Sequence, residues 1–200
     1  IICNESVDLP FFIFPPGSGG AESYFGNLVP LLDNQHMVLF NNYREYFSNK
    51  FGGSFNYERL AFEYILMIKK IQPSGPYNLF GWSFGGMLAL EVARQLKSSG
   101  EKINKLVMID PRFEKRKVMG VLGQKVTRED KNEISYIYDP GRISFNKDAF
   151  IVLFKAKKTC NDGSIEKTDK NIYALEREDY YVNETKDNCL SDIISNNSFK

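Results

Sequence analysis

The stretch Tyr77-Asn78-Leu79-Phe80-Gly81-Trp82-Ser83-Phe84-Gly85-Gly86-Met87-Leu88 decides how this chain folds. Tyr77 to Phe80 (YNLF) is an apolar run that follows the turn former Ser74-Gly75-Pro76, which predicts a buried strand. Met87 to Leu96 carries a strong helical pattern, closed by Gly100 near its C-terminal end. Between strand and helix lies the pentapeptide Gly81-Trp82-Ser83-Phe84-Gly85, a G-x-S-x-G pattern. So tight a strand-to-helix turn holds the serine in a strained backbone conformation with its hydroxyl exposed. Gly81 and Gly85 let the two elements approach without a Cβ between them. The helix start also points backbone N–H groups at any negative charge that forms beside Ser83. A chance glycine pattern is the competing reading, and the strand before and the helix after argue against it. The expectation is a nucleophile at Ser83.

Working outward, Phe11–Phe14 (FFIF), Met37–Phe40 (MVLF), Lys105–Ile109 (KLVMI) and Phe150–Lys155 (FIVLFK) read as further strands. Tyr57 to Ile71 repeats apolar residues at Leu60, Tyr64, Ile65, Met67 and Ile68, a helix with one buried stripe. Glu22 to Leu32 reads as a helix broken near Pro30. Strands alternating with helices imply an α/β fold with a mostly parallel central sheet flanked by helices. Residues 112–147 interrupt the rhythm and are rich in charge, so they read as a lid insertion after the fourth-strand Asp rather than a second domain. The expectation is one domain over residues 1–200, without internal repeats. No element is assigned to the polar stretch from Asn161 to Asn197.

Asp110 ends the strand Lys105–Ile109, where α/β sheets carry functional groups. It lies one helix and one strand beyond Ser83, where a carboxylate can orient a catalytic histidine. A turn-forming Asp before Pro111 is the bland alternative. Acyl transfer from a serine also needs two backbone N–H donors for the tetrahedral oxyanion. Phe84 follows the nucleophile and supplies one. Gly17, in Phe14-Pro15-Pro16-Gly17-Ser18-Gly19-Gly20, is the candidate for the other, because two prolines fix the loop while glycine leaves its N–H approachable. A phosphate-binding loop is a weak reading there, since no lysine follows at the required spacing. For Trp82 and Phe84, which flank the serine, acyl contact and core packing both stay open.

Composition narrows the function classes. The 200 residues are 42% hydrophobic and 26% charged, with a net charge of +1, so nothing argues for nucleic acid or an anionic membrane. Arg112, Lys115, Arg116 and Lys117 form the densest basic group, more simply a solvated face than a partner site. Cys3, Cys160 and Cys189 are odd in number and widely spaced, which fits neither a disulfide framework nor a metal site. No run of 18 or more apolar residues and no signal-peptide pattern occurs, so the expected setting is cytoplasmic. Because the chain begins at Ile1, it is expected to be part of a longer polypeptide.

These segments resemble the thioesterase domains that end nonribosomal peptide and polyketide synthases. "FIFPPGSGGAESYFGNLVPLL" is similar to the oxyanion-loop region, "GPYNLFGWSFGGMLALEVARQL" to the nucleophile elbow with its helix, and "KINKLVMIDP" to the strand ending in the triad Asp. The likeness covers roughly the first 110 residues, and "AFIVLFKAKKT" resembles the late strand after the lid. The resemblance implies an α/β-hydrolase fold and a thioester substrate delivered on the phosphopantetheine arm of a carrier protein domain, with no cofactor bound by the domain itself. It also implies a histidine after the last strands. The single histidine, His36, precedes Ser83 and starts a strand at the sheet's amino end, the wrong end for a base. The catalytic histidine is therefore expected beyond Lys200. Two other readings stand beside this one: a small-molecule esterase of the same fold, and a base-less pseudo-hydrolase that only docks a carrier domain.

Overall fold

Strand polarity and side-chain alternation build the sheet. The computed structural model describes residues 1–17, 19–44, 46, 47, 56–111, 113, 143–145, 149–156, 190 and 194. Its strands are β1 (Ile2–Cys3), β2 (Phe11–Phe14), β3 (Met37–Leu39), β4 (Tyr77–Trp82), β5 (Ile103–Ile109) and β6 (Phe150–Phe154). They lie in the order β1-β3-β2-β4-β5-β6. Every pairing from β3 to β6 is parallel, and only β1 runs antiparallel, against β3. Thus the mostly parallel α/β architecture expected from the pattern is the one observed.

Period-two alternation divides each strand between two apolar layers. Phe12, Phe14, Tyr77 and Leu79 face the larger core, while Ile13 and Phe80 face the smaller one on the other side. Two 15-residue helices, α2 (Tyr57–Ile71) and α3 (Phe84–Ser98), cover the larger layer, and α1 (Ala21–Phe25) covers the smaller. Helix α2 buries Tyr57, Leu60, Ala61, Tyr64, Ile65 and Ile68, the stripe its periodicity predicts. Each fully buried Leu or Ile there contributes about 1.5–3 kcal/mol. The side chain of Asn56 caps α2 by accepting from the Arg59 N–H at 3.0 Å.

Several boundaries differ from the sequence reading. The helix expected over Glu22–Leu32 is two pieces, α1 and a 3₁₀ turn at Val29–Leu32, separated around Gly26 and with Pro30 near the start of the second. β4 runs two residues further, because Gly81 and Trp82 continue the ladder opposite Met108 and Ile109. Helix α3 begins three residues earlier, at Phe84. Most of the expected lid at 112–147 lies outside the described residues, as do Arg112, Lys115, Arg116, Lys117, Cys160 and Cys189. Among the described residues at its edges, Phe113, Ile143 and Phe145 are buried in the larger core.

At the amino end of β4 and β5, Lys69 forms an ion pair with Glu101, which also accepts from the Gly75 N–H at 2.9 Å. The lysine hydrogen bond holds the Glu101 carboxyl below its ordinary value, and the same bond holds the Lys69 ammonium above its own. A depressed carboxyl stabilises the fold above its unfolded pKa and loses that contribution as pH falls through the folded one. The raised lysine contributes below its unfolded pKa, and that share disappears only as pH rises through the folded value. Lys69→Met should therefore lower Tm at pH 7 by on the order of 1–2 °C, the screening of a half-exposed pair included. The difference should shrink in thermal melts as pH falls through the folded Glu101 pKa, where the carboxyl gains a proton and the pair is lost.

Candidate active site

The turn from β4 into α3 carries Ser83 at φ 52°, ψ −119°, a region a side chain adopts only at a cost of about 1–3 kcal/mol. The surrounding backbone holds it there. Its N–H donates to the Ile109 carbonyl at 2.7 Å, and its own carbonyl accepts from Gly86 at 2.9 Å. Ser83 itself is only half-buried. Glycine makes the corner possible. A Cβ on Gly81 would overlap the Gly85 carbonyl and come within 2.6 Å of the Gly86 nitrogen. A Cβ on Gly85 would sit 2.5 Å from the carbonyl oxygens of both Phe14 and Pro15. Gly86, which the sequence reading gave no role, is less tightly enclosed: an added Cβ would stand 3.1 Å from the Pro111 Cβ.

Asp110 follows β5, the strand next to β4, at a positive φ of 43°. Asp tolerates that region better than most residues. Its N–H donates to the Phe154 carbonyl at 2.7 Å, and its Oδ1 faces the Ala156 N–H at 3.5 Å. Because Trp82 pairs with Ile109, Ser83 and Asp110 leave adjacent strands side by side at the carboxyl edge of the sheet. The Gly17 loop meets this corner through Gly85, whose approach to Phe14 and Pro15 brings the end of β2 against the start of α3. Phe84 is buried against Tyr57, with ring centroids 5.1 Å apart, while Trp82 stacks edge-on with Tyr24 at 5.5 Å. Phe84 thus packs into the core, whereas Trp82 and Tyr24 remain exposed.

Sequence reasoning missed a second loop. Residues Asn41 to Arg44 follow β3 and, with Gly17, Gly19 and Gly20, line a cleft of about 380 Å³. The buried Tyr64 pins this loop: its hydroxyl donates to the Asn41 carbonyl at 2.6 Å and accepts from the Tyr43 N–H at 3.2 Å. Burial pushes that phenol far above its ordinary pKa, so it stays a donor at any physiological pH. Asn42 ties the loop to its neighbour by donating to the Gly17 carbonyl at 3.0 Å. His36 lies elsewhere. Its carbonyl accepts from Phe11 at the amino end of β2, and both ring nitrogens are buried with no hydrogen-bond partner. No group of three metal-ligating side chains occurs among the described residues, nor does a helix long and apolar enough to cross a membrane.

A six-stranded, mostly parallel sheet with a strained serine at a strand-to-helix corner defines an α/β hydrolase. The thioesterase domain model matches residues 9–138, and the chain belongs to that family of serine hydrolases. It is 42% identical over 160 residues to an N-(5-amino-5-carboxypentanoyl)-L-cysteinyl-D-valine synthase of Amycolatopsis lactamdurans, covering 78% of this chain and 4% of that protein. The synthase of the same name from Penicillium chrysogenum is 44% identical over 154 residues, 75% of this chain and 4% of that one. A non-reducing polyketide synthase of Aspergillus ustus, stmB, is 41% identical over 112 residues, 56% of this chain and 5% of its own. This chain therefore spans only about one twentieth of these multidomain relatives. Among solved structures, the NocB thioesterase domain superposes with a TM-score of 0.55 at 21% identity, over 89% of this chain and 93% of that one. The surfactin thioesterase domain SrfTE gives 0.55 at 20%, over 86% and 79%. At such identities the two show the shared fold.

Proposed function

We propose that this chain is a single thioesterase domain, with a lid over residues 112–147, that releases a peptidyl chain from the phosphopantetheine arm of a carrier domain in the same polypeptide. The observation that carries this reading is the corner at Ser83, held at positive φ by the Ile109 carbonyl with Asp110 beside it. Peptide is favoured over polyketide because likeness to the tripeptide synthases runs through 75–78% of the chain, against 56% for the polyketide synthase.

Ser83 Oγ attacks the thioester carbonyl while a histidine beyond Lys200, oriented by Asp110, takes its proton. The N–H groups of Gly17 and Phe84 hold the oxyanion. As the intermediate collapses, the carbon–sulfur bond breaks and the departing sulfur receives the proton from the imidazolium. The acyl-serine then passes its chain to water, or to a nucleophile of the chain itself, with the histidine again removing a proton. A lid that excludes water favours ring closure over hydrolysis.

Mass spectrometry tests the covalent step. The full-length protein, quenched during turnover of a peptidyl-pantetheine thioester, should carry the acyl mass on the peptide containing Ser83. The same thioester should be consumed faster than its oxygen-ester counterpart. An adduct on another residue, or faster cleavage of the oxygen ester, would overturn the reading.

A further inference from the structure

The cleft beside the corner has a charged wall that the release mechanism leaves unused. Arg44 lines it together with Gly17, Gly19 and Gly20, and its guanidinium lies over the Phe84 ring, 5.6 Å from the centroid. A guanidinium over an aromatic face is held in place by that ring. Its backbone is fixed as well, since the Arg44 N–H donates to Asn42 Oδ1 at 2.9 Å and Asn42 is tied to Gly17. The Tyr64 hydroxyl clamps the two residues before that turn. A cation pre-positioned in this way loses little entropy on meeting an anion.

We propose that Arg44 forms a subsite for a carboxylate on the acyl chain, and so sets which chains Ser83 accepts; this rests on the release function proposed above. Reach decides the source of the anion. Through the Phe84 ring, the guanidinium lies at most on the order of 13 Å from the Ser83 Cα, a span that three or four extended residues cover. A carboxylate near the far end of a short peptide reaches it. The arm's phosphate leads away with the departing sulfur. Five N–H donors let the guanidinium take a bidentate carboxylate in addition to partners it already has. Glu22 holds its carboxylate against Gly20, another residue that lines the cleft. Glu22 Oε2 is buried with no hydrogen-bond partner. It repels a second anion and so restricts carboxylates to the Arg44 side.

The test compares a short peptidyl thioester bearing a side-chain carboxylate with its carboxamide isostere. Both are presented to the full-length protein as N-acetylcysteamine and as phosphopantetheine thioesters. Arg44→Gln should lower kcat/KM for the carboxylate substrate at least tenfold on either thiol and leave the carboxamide within about twofold, which also reports an intact fold. Arg44→Lys should restore part of the loss. Equal loss on both acyl chains, no loss at all, or a loss confined to phosphopantetheine substrates overturns the assignment. Should wild-type protein turn over neither acyl chain, the release function fails while the subsite is still decided by calorimetry. The free carboxylate peptide should then bind wild type at least tenfold more tightly than Arg44→Gln, and equal affinities overturn the subsite.

Discussion

Replacing Ser83 by alanine is expected to lower thioester turnover by about 10⁴–10⁶-fold, leaving only what the oxyanion donors and substrate binding provide. The variant should fold as the wild type does. Alanine at φ 52°, ψ −119° bears the same backbone strain as serine, and the hydroxyl makes no bond that the fold depends on: the corner is held by the Ser83 N–H and carbonyl. Ser83→Gly separates strain from chemistry. It should be as inactive as the alanine variant yet more stable than wild type, by about 1–2 kcal/mol, because glycine adopts this conformation without a Cβ penalty. Steady-state kinetics with thermal melts on all three proteins checks both parts. A Ser83→Gly protein less stable than Ser83→Ala would mean that the corner stores no strain. An alanine variant with near-wild-type turnover would remove Ser83 from the chemistry.

The second large effect is structural. Gly85→Ala should destabilise the protein by about 3 kcal/mol or more and lower Tm by roughly 6–12 °C, because the new methyl meets backbone on both sides. The carbonyls of Phe14 and Pro15, each 2.5 Å from the added Cβ, cannot swing away as a side chain would. To make room, the end of β2 must part from the start of α3, which also moves the Gly17 loop away from Ser83. Activity should fall together with stability. Gly17→Ala is the internal control: an added Cβ there meets nothing within 4 Å, so Tm should stay within about 2 °C of wild type. Equal melting of wild type and Gly85→Ala would show that the β2–α3 approach is looser than this geometry.

What could be read from the letters divides along physical lines. Apolar runs such as Phe11–Phe14 and the 3.6-residue stripe of Tyr57–Ile71 declare themselves, because burial on both faces of the strand and on one face of the helix imposes each pattern locally. The G-x-S-x-G spacing made the strained corner legible before any coordinates, since few other uses need two glycines around a serine between strand and helix. Strand polarity alone put His36 at the end of the sheet away from Ser83. Features made by distant contacts were invisible. Two-residue β1 exists because the Ile1 carbonyl accepts from Leu39, and nothing in Ile2-Cys3 announces that. Gly86 drew no role from the letters, whereas in the structure it lies in the first turn of α3, where an added Cβ would come within 3.1 Å of Pro111. The Asn41–Arg44 loop gave no motif, because its order comes from Tyr64 on α2 and Gly17 beyond β2. A buried tyrosine on a helical stripe reads as core, and only the structure reveals what its hydroxyl grips.

The packing around Gly81 and Gly85 has an evolutionary corollary. Main chain meets main chain there, so a side chain at either position must displace backbone regardless of what the enzyme releases. Divergence toward new products is then expected in the tethered loop after β3, whose order comes from Tyr64 and Gly17 rather than from the serine's corner. A family whose members share this corner and differ in that loop can change its repertoire while inheriting its reaction intact.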